Sequence, residues 1–301
     1  MIDATSLRGI LTALPTPVDA QGAVDARAAR LLVEYQLRHG INGLVPIGGT
    51  GEYGSLARAE RCRMVEATAQ AAQGKVPVIA GVLDTGYFDA LQSGRELAAA
   101  GADALMVVTP YYTNPTQAGL LDYFLRYADE SPVPLIIYEI PYRTRIALAP
   151  EVLHQLSSHE RIIGMKACNT DMYHFLRVVA GVSDTFSVLS GEDTLLPLHL
   201  LGGARGGIVV TATMLPAAWL RLFQLATSGR GAEALALHRE LMPVMDLAFA
   251  ETNPGPLKAV WDLIGIEAPA LLAPLREAAP ELQAALRQCM ASMIQRFGQA
   301  A

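Results

Sequence analysis

The sequence predicts an α/β fold, a (β/α)8 TIM barrel with a C-terminal helical extension, and three observations predict it. Eight short apolar runs alternate with amphipathic helical stretches. The runs lack clean polar–apolar alternation, as expected of strands buried on both faces. The 301 residues exceed the commonest single-domain size, and barrels of this kind are a standing exception at about 250 residues or more.

The first run lies near 8–14, followed by INGLVPI at 41–47, VPVIAGV at 76–82, DALMVV at 103–108 and VPLIIY at 133–138. RIIGMK at 161–166 comes next, then runs at 184–190 and 206–210. Between them, Val24, Ala28, Leu31, Leu32 and Tyr35 form a helical stripe. Leu121, Phe124, Leu125 and Ala128 form another, and Met172, Phe175, Leu176 and Val179 a third, at the i, i+3, i+4, i+7 spacing of one helix face. Short connections between such units favour a closed parallel barrel over an open sheet. From about 230 only helices are expected: 231–249, a Pro-broken stretch at 254–264, and 280–297 with Pro280 near its start. The expected organisation is a barrel over 1–229 with an extension over 230–301 packed on it, and no linker.

A formal charge of −6 argues against a nucleic-acid partner, which calls for a basic patch. Cys62, Cys168 and Cys289 are odd in number and far apart, with no disulfide framework or zinc spacing, so a cytoplasmic location is expected. No signal-peptide pattern and no membrane-length apolar run is found. The six histidines contain no HExxH, and His154 and His159 stand five apart, off a shared helix face, so both are expected at the surface. No metal is suggested.

In such barrels the chemistry sits at the C-terminal ends of the strands. Only three lysines occur. Lys75 follows Gly74 in a helix-to-strand turn and Lys258 lies on a helical stretch near Trp261; both are expected to be solvated. Lys166 closes the apolar run IIGM. A charged ammonium there is costly unless paired or neutral, and a neutral amine is the nucleophile that condenses with ketones. Taken alone, Lys166 fits that role or a structural ion pair with Glu139 or Glu192.

The second strand ends in Gly48-Gly49-Thr50-Gly51-Glu52, before a helix that Ser55 could cap. Such a turn is either structural or a cradle of N–H groups for a carboxylate, helped by the helix N-terminus. Strand four ends in Thr109-Pro110-Tyr111-Tyr112 and strand five in Tyr138-Glu139-Ile140-Pro141-Tyr142-Arg143-Thr144. A single tyrosine at a strand end more often packs than reacts. A Gly-Thr turn, a Tyr pair and a Tyr, with Lys on the sixth strand, form a far less ordinary set.

With these motifs, and with LSGED at 189–193, the chain resembles the dihydrodipicolinate synthase and N-acetylneuraminate lyase family of class I aldolases over nearly its whole length. The resemblance implies that Lys166 forms a Schiff base with a 2-oxo acid such as pyruvate, without a cofactor beyond that covalent imine. It implies that Tyr138 shuttles protons, and that Thr50 with the turn amides of Gly49 and Gly51 holds the 2-oxo acid carboxylate. Tyr112 becomes a second relay tyrosine, reaching across a subunit interface in a homodimer or homotetramer. Arg143 receives the carboxylate of a second substrate, aspartate semialdehyde, and Ile208 is an apolar residue beside the lysine. The partners are thus small molecules, with no nucleic acid and no membrane.

Departures from the family pattern are visible. Gly49 stands where synthases usually carry a hydroxyl that links the two tyrosines, Glu139 replaces a common Asn, and Ala167 a frequent acidic residue. The positions that bind feedback lysine in some synthases also differ. Synthase activity is the leading expectation. A sugar-acid or 2-oxo acid aldolase, a deoxysugar-acid dehydratase, and a non-catalytic 2-oxo-acid-binding regulator are the alternatives.

Overall fold

The eight apolar runs form eight strands. In a computed structural model, which describes residues 2–267 and 270–298, β1 (Gly9–Ala13), β2 (Gly43–Val45), β3 (Ile79–Val82) and β4 (Ala104–Val108) precede β5 (Leu135–Glu139). β6 (Ile162–Ala167), β7 (Ser187–Ser190) and β8 (Gly206–Val209) complete the set. All pair in parallel, in the order β2-β1-β8-β7-β6-β5-β4-β3, and a parallel bridge from Leu44 to Val78 joins the two ends into a barrel. Every strand residue is buried, which explains the missing alternation: one face packs into the barrel and the other under helices.

The barrel helices are α1 (Ala26–Arg38), α2 (Arg58–Ala72), α3 (Tyr87–Ala99), α4 (Gln117–Glu130), α5 (Pro141–Thr144) and α6 (Pro150–Leu156). They continue with α7 (Met172–Gly181), α8 (Leu196–Leu201) and α9 (Pro216–Thr227). Local chemistry sets several starts. The Asp25 carboxylate accepts from the N–H groups of Arg27 and Ala28, and Asp171 from those of Tyr173 and His174. Pro150 and Pro216 open α6 and α9, where a missing N–H costs nothing.

Two stripes are rotated from their expected positions. α4 buries Leu120, Phe124, Tyr127 and Ala128 rather than Leu121 and Leu125, and α7 buries Phe175 and Val178 while Leu176 is 45% exposed. Both helices are apolar over more than one stripe, so the spacing leaves the packed face undecided. Val24 precedes α1 and is buried all the same. His154 and His159 are half-buried rather than at the surface, His154 against the Arg177 carbonyl and His159 beside Asp129.

The tail forms α10 (Gly231–Ala248), the short α11 (Gly255–Lys258) and α12 (Pro280–Phe297). Trp219 of α9 and Trp261 after α11 are fully buried in the core that joins tail and barrel. Among the described residues no helix is long and apolar enough to cross a membrane.

Candidate active site

Parallel register brings the first two site residues together. Tyr138 on β5 pairs with Lys166 on β6, and the Lys166 Nζ lies 4.6 Å from the centre of the Tyr138 ring. Both are buried, with exposures of 4% and 5%. Neither Lys166 nor Arg143 enters an ion pair among the described residues, so the structural pairing of Lys166 with Glu139 or Glu192 is not formed. A cavity of about 540 Å³ opens over Lys166, and Gly49, Thr50, Tyr138, Arg143 and Cys168 line it. Burial pushes the Tyr138 phenol well above its ordinary value, while the nearby Arg143 guanidinium works the other way.

The turn after β2 brings Gly49 and Thr50 to the cavity wall, with a hydrogen-bond pattern that differs from the expected one. Gly51 and Glu52 donate their N–H groups to the carbonyls of Gly48 and Gly49, and the N–H groups of Gly49 and Thr50 have no backbone partner among the described residues. Gly51 is therefore needed for closeness rather than for donation: a Cβ there would sit 2.6 Å from the Ile47 backbone. Ile47 and Glu52 both hold positive φ, 50° and 58°, an uncommon conformation for side chains of their kind. The helix N-terminus is not at the turn, because α2 starts only at Arg58; Ala57 precedes it without a side-chain cap, and Ser55 is not the cap. Thr16 anchors the turn by donating its hydroxyl to the Gly51 carbonyl at 2.7 Å.

Gly49 leaves room for a side chain at the cavity wall. A Cβ at this position would meet the Arg143 Nη1 at 3.6 Å and the Tyr138 hydroxyl at 3.9 Å, both ordinary contacts. Arg143 and Tyr142 sit on α5, exposed at the cavity mouth. Tyr112 follows β4 with φ 78° and is 93% exposed, away from its own chain's cavity. Ile208 is wholly buried in β8 and does not line the cavity; Val210, two residues on, does.

Several site residues escaped the sequence reading. Asn253 donates its side-chain N–H to the Thr50 hydroxyl oxygen at 2.8 Å, so the Thr50 proton remains free to point into the cavity. Lys258 is 1% exposed rather than solvated: it is ion-paired with Glu52 and donates to the Ala270 carbonyl at 2.9 Å. The signal was present, since Lys258 is flanked by Leu257, Val260 and Trp261 much as Lys166 is by its strand. Glu192 and Cys168 also line the cavity, and burial raises the carboxyl of the one and the thiol of the other. Asp193 beneath them is fully tied, accepting from the N–H groups of Val210 and Thr211 and from the Thr211 hydroxyl. Lys75 is exposed, as expected. The three cysteines are free, and no cluster of three metal-ligating side chains is found among the described residues.

Residues 6–293 match the dihydrodipicolinate synthetase family. A 4-hydroxy-tetrahydrodipicolinate synthase of Gluconacetobacter diazotrophicus is 35% identical over 96% of this chain and 98% of its own. One from Xanthomonas axonopodis pv. citri is 41% identical over 87% and 86%. The crystal structure of dihydrodipicolinate synthase from Aquifex aeolicus superposes with a TM-score of 0.90 at 31% identity, covering 98% of this chain and 99% of that one. Matched over nearly its whole length in both sequence and barrel geometry, the chain belongs to the dihydrodipicolinate synthetase family.

Proposed function

We propose that the chain is a 4-hydroxy-tetrahydrodipicolinate synthase in lysine biosynthesis, a Schiff-base lyase that condenses pyruvate with aspartate semialdehyde. The observation that carries this reading is the placement of a buried, unpaired Lys166 against Tyr138, in one cavity with Thr50 and Arg143. The neutral Lys166 amine attacks the ketone carbon of pyruvate, and water leaves to give an iminium. The pyruvate methyl then loses a proton, and the resulting enamine carbon attacks the aldehyde carbon. The amine of the semialdehyde closes on the imine carbon and displaces Lys166. Tyr138 is the group within reach to give and take these protons, help typically worth about 10²–10⁴-fold. Thr50 and the free turn N–H groups hold the pyruvate carboxylate, Arg143 takes the carboxylate of the second substrate, and Ile208 packs behind the site.

Tyr112 acts from a neighbouring copy, in an assembly of at least a dimer and by our reading a tetramer. Its exposure supports this, as do Tyr173, Leu176, Leu198 and Leu201, apolar side chains left exposed on α7 and α8. The free cysteines support a cytoplasmic location.

The space at Gly49 and the Glu192 carboxyl in the cavity favour one second reading, an aldolase or dehydratase acting on a hydroxylated 2-oxo acid. Borohydride trapping of pyruvate on Lys166, combined with turnover of aspartate semialdehyde, tests the proposal. An adduct without turnover of the semialdehyde, but with cleavage of a sugar acid, moves the assignment to the second reading. An adduct with no turnover of any acceptor makes the chain a binding regulator, and no adduct removes the imine altogether.

A further inference from the structure

Glu139 follows Tyr138 on β5, so its side chain leaves the barrel interior and enters the layer between strands and helices. It is completely buried. A buried carboxylate needs partners, and Glu139 has two. Its Oε1 accepts the backbone N–H of Leu148 at 2.9 Å, and the His174 Nε2 of α7 faces the same oxygen at 3.6 Å. Oε2 has no hydrogen-bond partner among the described residues.

What these contacts hold is a loop. Residues 140–149 connect β5 to α6 and carry Tyr142 and Arg143 at the cavity mouth. The Glu139–Leu148 bond spans that loop from the strand residue just before it to nearly its last residue. Within it, Thr144 donates to the Ile140 carbonyl at 3.0 Å, and Gln117 of α4 brackets the far end by accepting from Ala149 and donating to Ala147. Glu139 is the charged member of this set, and the one attached directly to the strand that bears Tyr138.

We propose that Glu139 is a positioning residue that fixes the Arg143 loop at the cavity mouth through its bond to the Leu148 amide and its ion pair with His174. It acts on the acceptor substrate and not on imine formation, because Lys166 and the Thr50 turn are held by other strands. This rests on Arg143 receiving the second carboxylate. The groups that face His174 are Glu139 from β5 and, on its own helix, Asp171 and Arg177; Glu139 raises its protonation most, with Asp171 in the same sense and Arg177 against.

The test combines substrate kinetics with hydrogen–deuterium exchange of the free enzyme. In Glu139→Ala, exchange over 140–149 speeds up while that of β6 does not, and KM for aspartate semialdehyde rises roughly tenfold. The rate of pyruvate trapping on Lys166 stays at the wild-type value. Glu139→Gln keeps an acceptor for the Leu148 amide but not the charge. It serves where the Ala variant does not fold: its KM is raised at pH 6 and no longer climbs as His174 loses its proton, whereas the wild-type KM does. Unchanged loop exchange and unchanged KM in both variants overturn the proposal. So does a loss of pyruvate trapping in step with aldehyde use, which makes Glu139 a support of β5 alone. If wild type ignores carboxylate-bearing aldehydes, the reading of Arg143 fails, and the exchange result by itself decides whether Glu139 holds the loop.

Discussion

Tyr138 and Lys166 occupy the same register position on neighbouring strands, with the amine over the phenol ring at 4.6 Å. The pairing places the tyrosine ring directly beside the lysine on which we propose the imine forms. Tyr138→Phe keeps the packing and removes the proton. Borohydride trapping of pyruvate should slow by about 10²–10⁴-fold while the adduct still maps to Lys166. Lys166→Arg should give no adduct, and modification at Lys75 or Lys258 would contradict the site.

Arg143 is exposed and unpaired at the mouth, so its removal leaves no buried charge behind. Arg143→Ala should lower kcat/KM for aspartate semialdehyde by about one to two powers of ten, the worth of charge-assisted hydrogen bonds to one carboxylate. Pyruvate trapping should remain near wild type. Steady-state kinetics on both substrates separates this from a general collapse of the site.

Gly49 and Gly51, two positions apart, should respond oppositely to substitution. Gly49→Ser adds a hydroxyl beside Tyr138 and Arg143 where the contacts are ordinary, so the protein should fold normally. If proton transfer lacks that hydroxyl, kcat should rise; a fall in kcat would mean that the space belongs to the substrate. Gly51→Ala drives a Cβ into the Ile47 backbone and should lose both stability and pyruvate binding, seen as a lower melting temperature and slower trapping.

Lys258→Met strips the partner from Glu52 inside the core. Breaking a buried pair on one side costs about 3–5 kcal/mol, because the remaining charge has no compensation. Urea unfolding should register that loss, and Glu52→Gln in the same molecule should recover part of it.

The buried histidines should titrate in opposite directions. The Glu139 carboxylate raises His174 above the ordinary 6.5, so its contribution to stability is complete below that pH and fades as pH climbs through the higher folded-state value. Burial pushes His199 down to about 4, so the folded state resists its protonation and loses stability as pH falls from 6.5 toward that value. NMR titration of the ring protons of each histidine checks both signs.

The barrel was legible in the chain because buried parallel strands carry a signature in apolar run length: six strands lie within the expected runs, and β5 and β6 extend one residue past theirs, to Glu139 and Ala167. The lysine and the Tyr138 strand end were legible for a related reason: a charge or phenol closing an apolar run is conspicuous. Helix faces on α4 and α7 were less so, since an apolar arc wider than one stripe packs by neighbour shape. The burial of Lys258 was legible in its apolar neighbours, but its pairing with Glu52 and the bond of Asn253 to Thr50 were not. In each the partners lie more than 200 positions apart in sequence, and no local period records such a meeting.

That meeting sets an order of events. Thr50 and Glu52 belong to the second strand's turn, yet Asn253, Lys258 and Leu272 of the tail hold them in place. A chain emerging from synthesis therefore displays Lys166 well before the Thr50 turn has its tail partners. If that turn holds a 2-oxo acid as we propose, tight binding should require the tail to have docked, and ligand binding would then report on tail docking as well as on the site.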